Sequence, residues 1–233
     1  MGDKVLTTER CELKYYVSLA DAVTLRKRLS AVLCHDSYSE KAPYRVKSLY
    51  FDSLTDGDYY SKTEGNNIRK KIRLRIYDEA MDRAKLEWKA KEGQFQHKHS
   101  LWIKREDAKR MSAGDYTCLT AYDSSEALRF YSAMTLECYR PVVMIEYMRE
   151  AFVHPLYKTR ITIDSNIRSS ETETDIFKRD IPMIPVLDSL AVLEVKYNGK
   201  LPEYISKVIS SVPHVNSSVS KYCGSRNIIV DCM

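Results

Sequence analysis

The sequence predicts an α+β fold: a closed antiparallel β-barrel that forms a tunnel with a basic interior, with helices packed outside. The main observation is the stretch of residues 69–77, RKKIRLRIY, read with the period of two of a β-strand. Arg69, Lys71, Arg73 and Arg75 then share one face, while the opposite face is mostly branched and apolar. Aligned cations repel one another unless water or an anion lies between them.

Four further segments repeat this design of an apolar side and a charged side. They are residues 85–92 and the alternating sets Arg10, Glu12 and Lys14; Arg160, Thr162 and Asp164; and Glu194 with Lys196. One such strand alone is most simply the solvated outer face of a sheet. Their recurrence along the chain favours a barrel, because every strand of a barrel contributes alternate residues to one enclosed lining.

The remaining elements of the N-terminal half follow from apolar spacing and from turn residues. A cap at Ser18 or Asp21 starts a helix that runs to about Leu33, with Leu25, Leu29, Val32 and Leu33 on one stripe. The other predicted elements are a strand at 9–17, a strand at 43–51, a loop or short helical turn at 55–67, and an extended segment at 93–103.

The C-terminal half is predicted to begin with two helical pieces between residues 106 and 138, parted at Gly114. The second piece shows Leu128, Tyr131 and Thr135 on one stripe. Then follow strands at 142–149, 160–167 and 190–197, a loop or edge at 181–185, a helix at 202–211, and a segment at 216–223 that leads into a tail. No linker or repeat interrupts the chain, so we expect a single domain over residues 1–233.

Composition narrows the class of ligand. The chain has 233 residues and a formal net charge of only +5, from 37 Lys+Arg against 32 Asp+Glu. The overall excess of cations is therefore small, and the basic strands reflect where the cations lie in the sequence. This favours a compact phosphate or polyanion over nucleic acid. The six cysteines form no Cys-x-x-Cys pair, which indicates reduced thiols. No apolar run is long enough to span a membrane, and no secretion signal is present, so we expect a soluble, cytoplasmic protein.

The sequence lacks the common catalytic motifs, including phosphate-binding glycine loops and nucleophile elbows. What remains is a lining of Arg and Lys accompanied by Glu12, Glu87, Glu146 and Glu194. Such a lining suits phosphoryl transfer, in which cations hold phosphate oxygens and carboxylates hold a divalent ion. Oxygen ligands favour Mg²⁺ or Mn²⁺ over zinc.

Several motifs in chain order resemble the VTC (vacuolar transporter chaperone) domain, the polyphosphate polymerase of the triphosphate tunnel metalloenzyme superfamily. They are RCELKY at 10–15, SLYFD at 48–52, KIRLRIY at 71–77, LEWK at 86–89, IEYMREAF at 145–152, RITID at 160–164, LEVKY at 193–197 and SKYC at 220–223. Arg10 stands where the wider superfamily has the first Glu of a Glu-x-Glu-x-Lys opening, which fits the VTC branch better than the triphosphatase branch.

The resemblance implies transfer of the ATP γ-phosphate to a growing inorganic polyphosphate chain, assisted by Mn²⁺ or Mg²⁺. By motif, the catalytic candidates that bind phosphates are Lys14, Arg73, Arg75, Lys89, Arg149, Arg160, Lys196 and Lys221. Further substrate-binding candidates are Arg69, Lys71, Lys91 and Lys98. Glu194 is the main metal candidate, with Glu12, Glu87 and Glu146 as helpers or as ion-pair partners of the cations.

Two alternatives stay open at this point. A hydrolase of the same fold would cleave tripolyphosphate or nucleoside triphosphates, and it would differ only in using water as the attacking group. A non-catalytic module would hold polyphosphate without turnover. The complete set of basic positions together with Glu194 argues against a degenerate site.

Overall fold

The computed structural model describes residues 10–40, 42–93, 95–155 and 158–230. The chain divides into two units. The first unit comprises Met1–Tyr44, Tyr147–Ile167 and Leu187–Val219. The second unit comprises Arg45–Glu146, Arg168–Val186 and Ser220–Met233. The expectation of a single domain over residues 1–233 stays a prediction.

The described ranges form a sheet-rich chain with helices between the strands. The strands are β1 (Arg10–Ser18), β2 (Cys34–His35), β3 (Tyr44–Asp52), β4 (Ile68–Ile76), β5 (Arg83–Glu92), β6 (Phe95–Lys104), β7 (Arg140–His154), β8 (Thr159–Ser170), β9 (Ile184–Pro185), β10 (Leu190–Asn198) and β11 (Val215–Asn216). The α-helices are α1 (Leu19–Val32), α2 (Gly57–Thr63), α3 (Arg105–Ser112), α4 (Ser125–Leu136), α5 (Glu203–Ile209) and α6 (Lys221–Val230), and Thr117–Ala121 form a 3-10 helix.

The long strands and most helices lie where the sequence predicts them; Glu9, the first residue of the first predicted strand, lies outside the described residues. The exception is the tail that was predicted to follow the segment 216–223, because Lys221–Val230 form α6. The sequence of α6, KYCGSRNIIV, is rich in residues of low helix propensity, including Gly224 and Asn227. Tertiary contacts rather than propensity therefore hold this helix.

In the first unit, α1 and α5 cover the apolar face of the sheet. Ser18 caps α1, since its Oγ accepts the Asp21 N–H at 3.0 Å. Leu25, Leu29 and Leu33 of the predicted stripe are buried, whereas Val32 is exposed. The core of this unit comprises Val17, Ala22, Leu25, Leu29, Leu33, Phe152, Ile161, Ile163, Ala191, Leu193, Val195, Ile205, Ile209 and Val212.

In the second unit, the apolar faces of β3–β6 pack against α3, the 3-10 helix and α4. This core includes Leu49, Phe51, Ile72, Leu74, Ile76, Ala84, Leu86, Ile103, Met111, Leu119, Phe130 and Met134. The stripe predicted for α4 is wrong by one residue: Ala127, Phe130 and Met134 are buried, and Leu128 is exposed. The two stripes have the same spacing, and the one that buries an aromatic ring together with a methionine removes more apolar surface from water.

The strand order is β11-β1-β10-β8-β7 in the first unit, with β2 beside β7. It is β7-β3-β4-β5-β6 in the second unit, with β9 beside β8. Every pair whose register is described is antiparallel, as predicted. Over the described residues this order is an open path that ends at β11 and β6, so the predicted closure of the sheet into a barrel is not confirmed.

Among the helices that the structure describes, none combines the length and apolar character that crossing a membrane requires. Cys11, Cys34, Cys118, Cys138 and Cys223 are free thiols in the described part of the chain. Cys232 lies outside the described residues.

Two buried carboxylates lie close together where β3 leads into α2. Asp58 is almost fully buried, and its Oδ2 accepts the Tyr139 hydroxyl at 2.8 Å. Burial, and secondly the charge of Asp52, raise the pKa of Asp58 to about 7. In the unfolded chain this carboxyl releases its proton near pH 4. The folded state therefore loses stability as pH rises from about 4 to about 7.

We expect Asp58→Asn to become increasingly favourable relative to the wild type as pH rises, because the amide has no charge to bury. Between pH 5 and pH 8 the difference in free energy of unfolding should shift in favour of the variant by about 2–3 kcal/mol. Urea denaturation at both pH values measures this difference. Asp82→Asn, at a mostly exposed side chain, is the control. Its free energy of unfolding should differ from that of the wild type by the same amount at both pH values. A difference for Asp58→Asn that does not change with pH would contradict the raised pKa.

Candidate functional site

The second unit carries a sheet surface that we call the cationic face, formed by alternate residues of β4, β5 and β6. Its charged members are Arg69, Lys71, Arg73, Arg75, Lys85, Glu87, Lys89, Lys91 and Lys98. Residues of the opposite parity, such as Ile72 and Leu86, are completely buried in the core. The predicted alternation of a charged side and an apolar side is therefore present on these strands.

The register of the three strands places lysines in a row. Lys71 is opposite Lys89 across β4 and β5, and Lys89 is opposite Lys98 across β5 and β6. Arg69 and Lys91 form the neighbouring pair of like charges. Like charges directly opposite one another destabilise a sheet. This lysine row is therefore a surface that a polyanion would stabilise.

Glu87 is the carboxylate that the described parts of β4–β6 contribute to the cationic face, and it is nearly fully buried. Its Oε2 lies 2.9 Å from Arg73 Nη2 and 3.6 Å from Arg75 Nη1, and its Oε1 lies 3.1 Å from Lys98 Nζ. Burial by itself would raise the pKa of Glu87, but the charges of Arg73, Arg75 and Lys98 together lower it well below its ordinary value. Both carboxylate oxygens are engaged, which favours the ion-pair role of Glu87 over metal binding.

Strand β3 supplies polar side chains to the same face. Ser48 is opposite Arg75 and Tyr50 is opposite Arg73. Arg73 Nη1 donates to the Tyr50 hydroxyl at 2.8 Å, and Arg75 Nε donates to Ser48 Oγ at 3.4 Å. These contacts fix both guanidinium groups on the face, so less side-chain entropy is lost when an anion binds.

The start of α6 also reaches the cationic face. Lys71 Nζ donates to Ser220 Oγ at 2.7 Å, and Lys221 is the first residue of the helix. Ser220 was part of a motif in the sequence but was not among the site candidates.

Glu146 lies in the second unit but is engaged elsewhere. Its Oε1 accepts a hydrogen bond from Arg168 Nη2 at 2.7 Å, and its Oε2 lies 3.7 Å from Arg45 Nη1. These contacts favour the ion-pair role that the sequence left open for Glu146, rather than a role in metal binding.

The first unit carries a different surface, which we call the mixed face, on β1, β10 and β8. One row across the strands is Glu12, Lys196 and Arg160, and the next is Lys14, Glu194 and Thr162. Lys14 Nζ lies 2.9 Å from Glu12 and 3.7 Å from Glu194, while Lys196 Nζ lies 2.9 Å from Glu194 and 3.9 Å from Glu12. Two carboxylates thus share two lysines, and among these four residues opposite charges alternate along and across β1 and β10.

Two arginines of the first unit are held by carboxylates, one buried (Asp164) and one partly buried (Asp36). Arg149 forms a bidentate pair with Asp164, with Nε and Nη2 at 2.6 and 2.7 Å from its two oxygens. Although burial opposes the charged form, Asp164 raises the pKa of Arg149 well above its ordinary value. Arg160 Nη2 lies 2.9 Å from Asp36 Oδ2, and a weaker contact joins it to the Tyr44 hydroxyl at 3.4 Å.

The mixed face has oxygen donors that fit a divalent ion. Within the described residues no group of three or more His, Cys, Asp and Glu side chains is arranged to hold a metal. Mg²⁺, however, is commonly bound by one or two carboxylates and completed by substrate phosphates and water, and Glu12 with Glu194 supply such a pair. Thr162 Oγ1, on the strand beside Glu194, is buried without a hydrogen-bond partner, as expected where a ligand or water completes the donor set.

The comparisons with known proteins agree with this geometry. The family model of the VTC domain matches residues 9–230, and the chain belongs to this family. No curated protein sequence matches the chain. The fold is similar to that of a solved structure with a TM-score above 0.5, which is described first below.

That structure is a protein from Bacillus halodurans assigned as a candidate adenylate cyclase. It is 12% identical with a TM-score of 0.52, over 90% of this chain and 93% of that chain. The PH1819 protein of Pyrococcus horikoshii OT3 is 11% identical with a TM-score of 0.47, over 97% of this chain and all of that chain. At this identity the first similarity shows the fold alone.

Sequence reasoning missed the neutral and acidic residues that fix the predicted cations. They are Asp36, Tyr44, Ser48, Tyr50, Asp164 and Ser220. A signal was present on β3, where Ser48, Tyr50 and Asp52 alternate with buried apolar residues in the manner of the charged strands.

Glu87→Gln should destabilise the second unit, because Arg73, Arg75 and Lys98 lose their shared counter-charge. We expect a loss of about 3 kcal/mol in the free energy of unfolding. Added tripolyphosphate should restore part of that stability. Urea denaturation at neutral pH, with and without tripolyphosphate, measures both effects.

The matched control is Glu137→Gln, which removes the half-exposed partner of Lys70 on the other side of β4. This change should lower the stability by less than about 1 kcal/mol. Equal losses for the two variants would show that Glu87 has no special role on the cationic face.

Proposed function

We propose that this chain is a polyphosphate polymerase that transfers the γ-phosphate of ATP to the end of an inorganic polyphosphate chain. The observation that carries the proposal is the row of Lys71, Lys89 and Lys98, whose mutual repulsion a polyphosphate chain would relieve. Phosphates along such a chain repeat a negative charge at short intervals, as the lysine row repeats a positive one. Family membership supports the same substrate class.

In the proposed reaction the second unit holds phosphate oxygens through the cationic face. Arg73 and Arg75 would stabilise the charge on the transferred phosphoryl group, because Glu87, Tyr50 and Ser48 hold their guanidinium groups in fixed positions. Lys89, with Lys71, Lys98, Arg69 and Lys91, would bind the chain. Lys221, at the start of α6, would add a further phosphate contact.

On the mixed face, Glu194 and Glu12 would hold Mn²⁺ or Mg²⁺, with Lys14 and Lys196 neutralising neighbouring phosphate oxygens. A bound divalent ion would supply neutralisation of charge that develops on phosphate oxygens. Arg149 and Arg160 would donate hydrogen bonds to phosphate from the N–H groups that Asp164 and Asp36 leave available. Because ATP is the phosphate donor, we propose that the enzyme acts in the cytoplasm.

The purified chain incubated with ATP and Mn²⁺ should produce ADP and a long polymer on a gel stained for polyphosphate. An assay of free orthophosphate in the same reaction separates polymerisation from hydrolysis, since a triphosphatase releases orthophosphate without polymer. Tight polyphosphate binding without either product would indicate a non-catalytic module that binds polyphosphate.

Lys89→Ala should reduce the rate of polymer formation by about 10²–10³-fold, because the central cation of the lysine row that binds the chain is lost. Its circular dichroism spectrum and unfolding midpoint should stay close to those of the wild type, since the side chain is exposed. Lys109→Ala, an exposed lysine on α3, is the control and should leave the rate unchanged. Wild-type activity of the Lys89→Ala protein would show that the lysine row is not part of the proposed site.

Glu194→Gln should weaken binding of Mn²⁺ by at least about tenfold, because the amide supplies no charge to the ion. Titration followed by the electron paramagnetic resonance of free Mn²⁺ gives the Kd directly. Binding of ATP in the absence of metal should change less. Glu203→Gln on α5, which removes an exposed carboxylate paired with Lys207, is the control. A wild-type Kd for Mn²⁺ in Glu194→Gln would place the metal elsewhere.

A further inference from the structure

A single buried carboxylate joins three elements of the second unit. Asp52 ends β3 and is completely buried. Its Oδ1 accepts the backbone N–H groups of Ser53 at 2.8 Å and Asp58 at 2.9 Å, and its Oδ2 accepts the N–H of Tyr59 at 3.0 Å. Asp52 therefore fixes the start of α2 on the end of β3.

The same carboxylate holds the first turn of α6. The Tyr222 hydroxyl donates to Asp52 Oδ2, and the Tyr222 side chain is almost completely buried. Its ring stacks on that of Tyr50, with centroids 5.3 Å apart and planes inclined by 19°. Tyr50 in turn accepts the hydrogen bond from Arg73 on the cationic face. Tyr222, the second residue of α6, thus attaches this helix of low intrinsic propensity to the end of β3.

The position of this helix start affects the lysine row. Ser220 precedes α6, and its Oγ accepts the N–H of Cys223 at 3.2 Å and the Lys71 ammonium at 2.7 Å. The Lys71 Nζ also lies 5.3 Å from the centre of the Tyr222 ring. A displacement of the first turn of α6 would therefore move two groups that locate the Lys71 ammonium.

We propose that Asp52 and Tyr222 are positioning residues for polyanion binding: their hydrogen bond fixes the start of α6 so that Ser220 locates Lys71 in the lysine row. The inference rests on the proposed function, because it assumes that the lysine row binds phosphates. Neither residue touches the ligand. Their effect on affinity passes through Lys71 and through Lys221, the first residue of the same helix.

The chain offers a matched control for the loss of a buried Tyr–Asp hydrogen bond. The Tyr139 hydroxyl donates to Asp58 at 2.8 Å, in the same unit and beside the same helix α2, and Tyr139 is buried as Tyr222 is. Tyr139 packs in the apolar core of the second unit. Tyr222→Phe and Tyr139→Phe therefore delete the same atom from comparable surroundings, but only the first acts on the start of α6.

The experiment measures the Kd of tripolyphosphate by calorimetry for the wild type and both variants, with folding checked by circular dichroism. Tyr222→Phe should weaken binding about tenfold, the effect expected for one misplaced charge-assisted hydrogen bond. Tyr139→Phe should stay within about twofold of the wild type. If Tyr222→Phe does not fold, Asp52→Asn tests the same hydrogen bond and should show the same loss.

A mutant cycle with the double variant Lys71→Ala/Lys221→Ala separates positioning from a general loss of structure. In that background, Tyr222→Phe should weaken binding by less than about twofold, because the groups on which it acts are gone. The full tenfold loss in that background, or wild-type affinity of Tyr222→Phe itself, overturns the inference. Failure of the wild type to bind tripolyphosphate overturns the proposed function and the inference with it.

Discussion

Three lysines lie opposite one another across β4, β5 and β6, and their mutual repulsion is unfavourable for the sheet. The residues around them determine how far this repulsion is compensated. The backbone register fixes the rows, so the chain cannot relieve the repulsion by rotating one strand without exposing core residues such as Ile72. Glu87 compensates only locally, through Arg73, Arg75 and Lys98. A bound polyanion would reduce this repulsion further.

Neutral residues act together with Glu87 in positioning the cations of this face. Tyr50 and Ser48 hold the two arginines without cancelling their charge, and Ser220 does the same for Lys71. A carboxylate in each of these positions would hold the cation equally well but would compete with a phosphate. Hydroxyl partners therefore give preorganisation while they keep the electrostatic attraction for the ligand.

Period-two alternation was enough to predict which residues of β1, β4, β5, β8 and β10 share a charged face, because one buried face fixes the parity of a strand. Alternation does not encode which strands are neighbours, so the lysine row and the pairing of Glu12 with Lys196 needed the structure. Helix α6 was missed because its stability comes from Tyr222 rather than from propensity. The buried stripe of α4 was predicted one residue too late, because two stripes of equal spacing run along this helix. Which of them is buried depends on the residues that pack against the helix, and the sequence pattern does not give those.

The two charged faces differ in composition, and this difference suits different tasks. On the mixed face each carboxylate adjoins two lysines, so charge is nearly balanced, and the two carboxylates supply the oxygen donors proposed for a divalent ion. On the cationic face the carboxylate is fully engaged, so a metal ion would meet uncompensated repulsion there, whereas a chain of phosphates would not. Because the proposed metal-binding and chain-binding groups belong to separate strands, each set can be altered and tested with its own ligand.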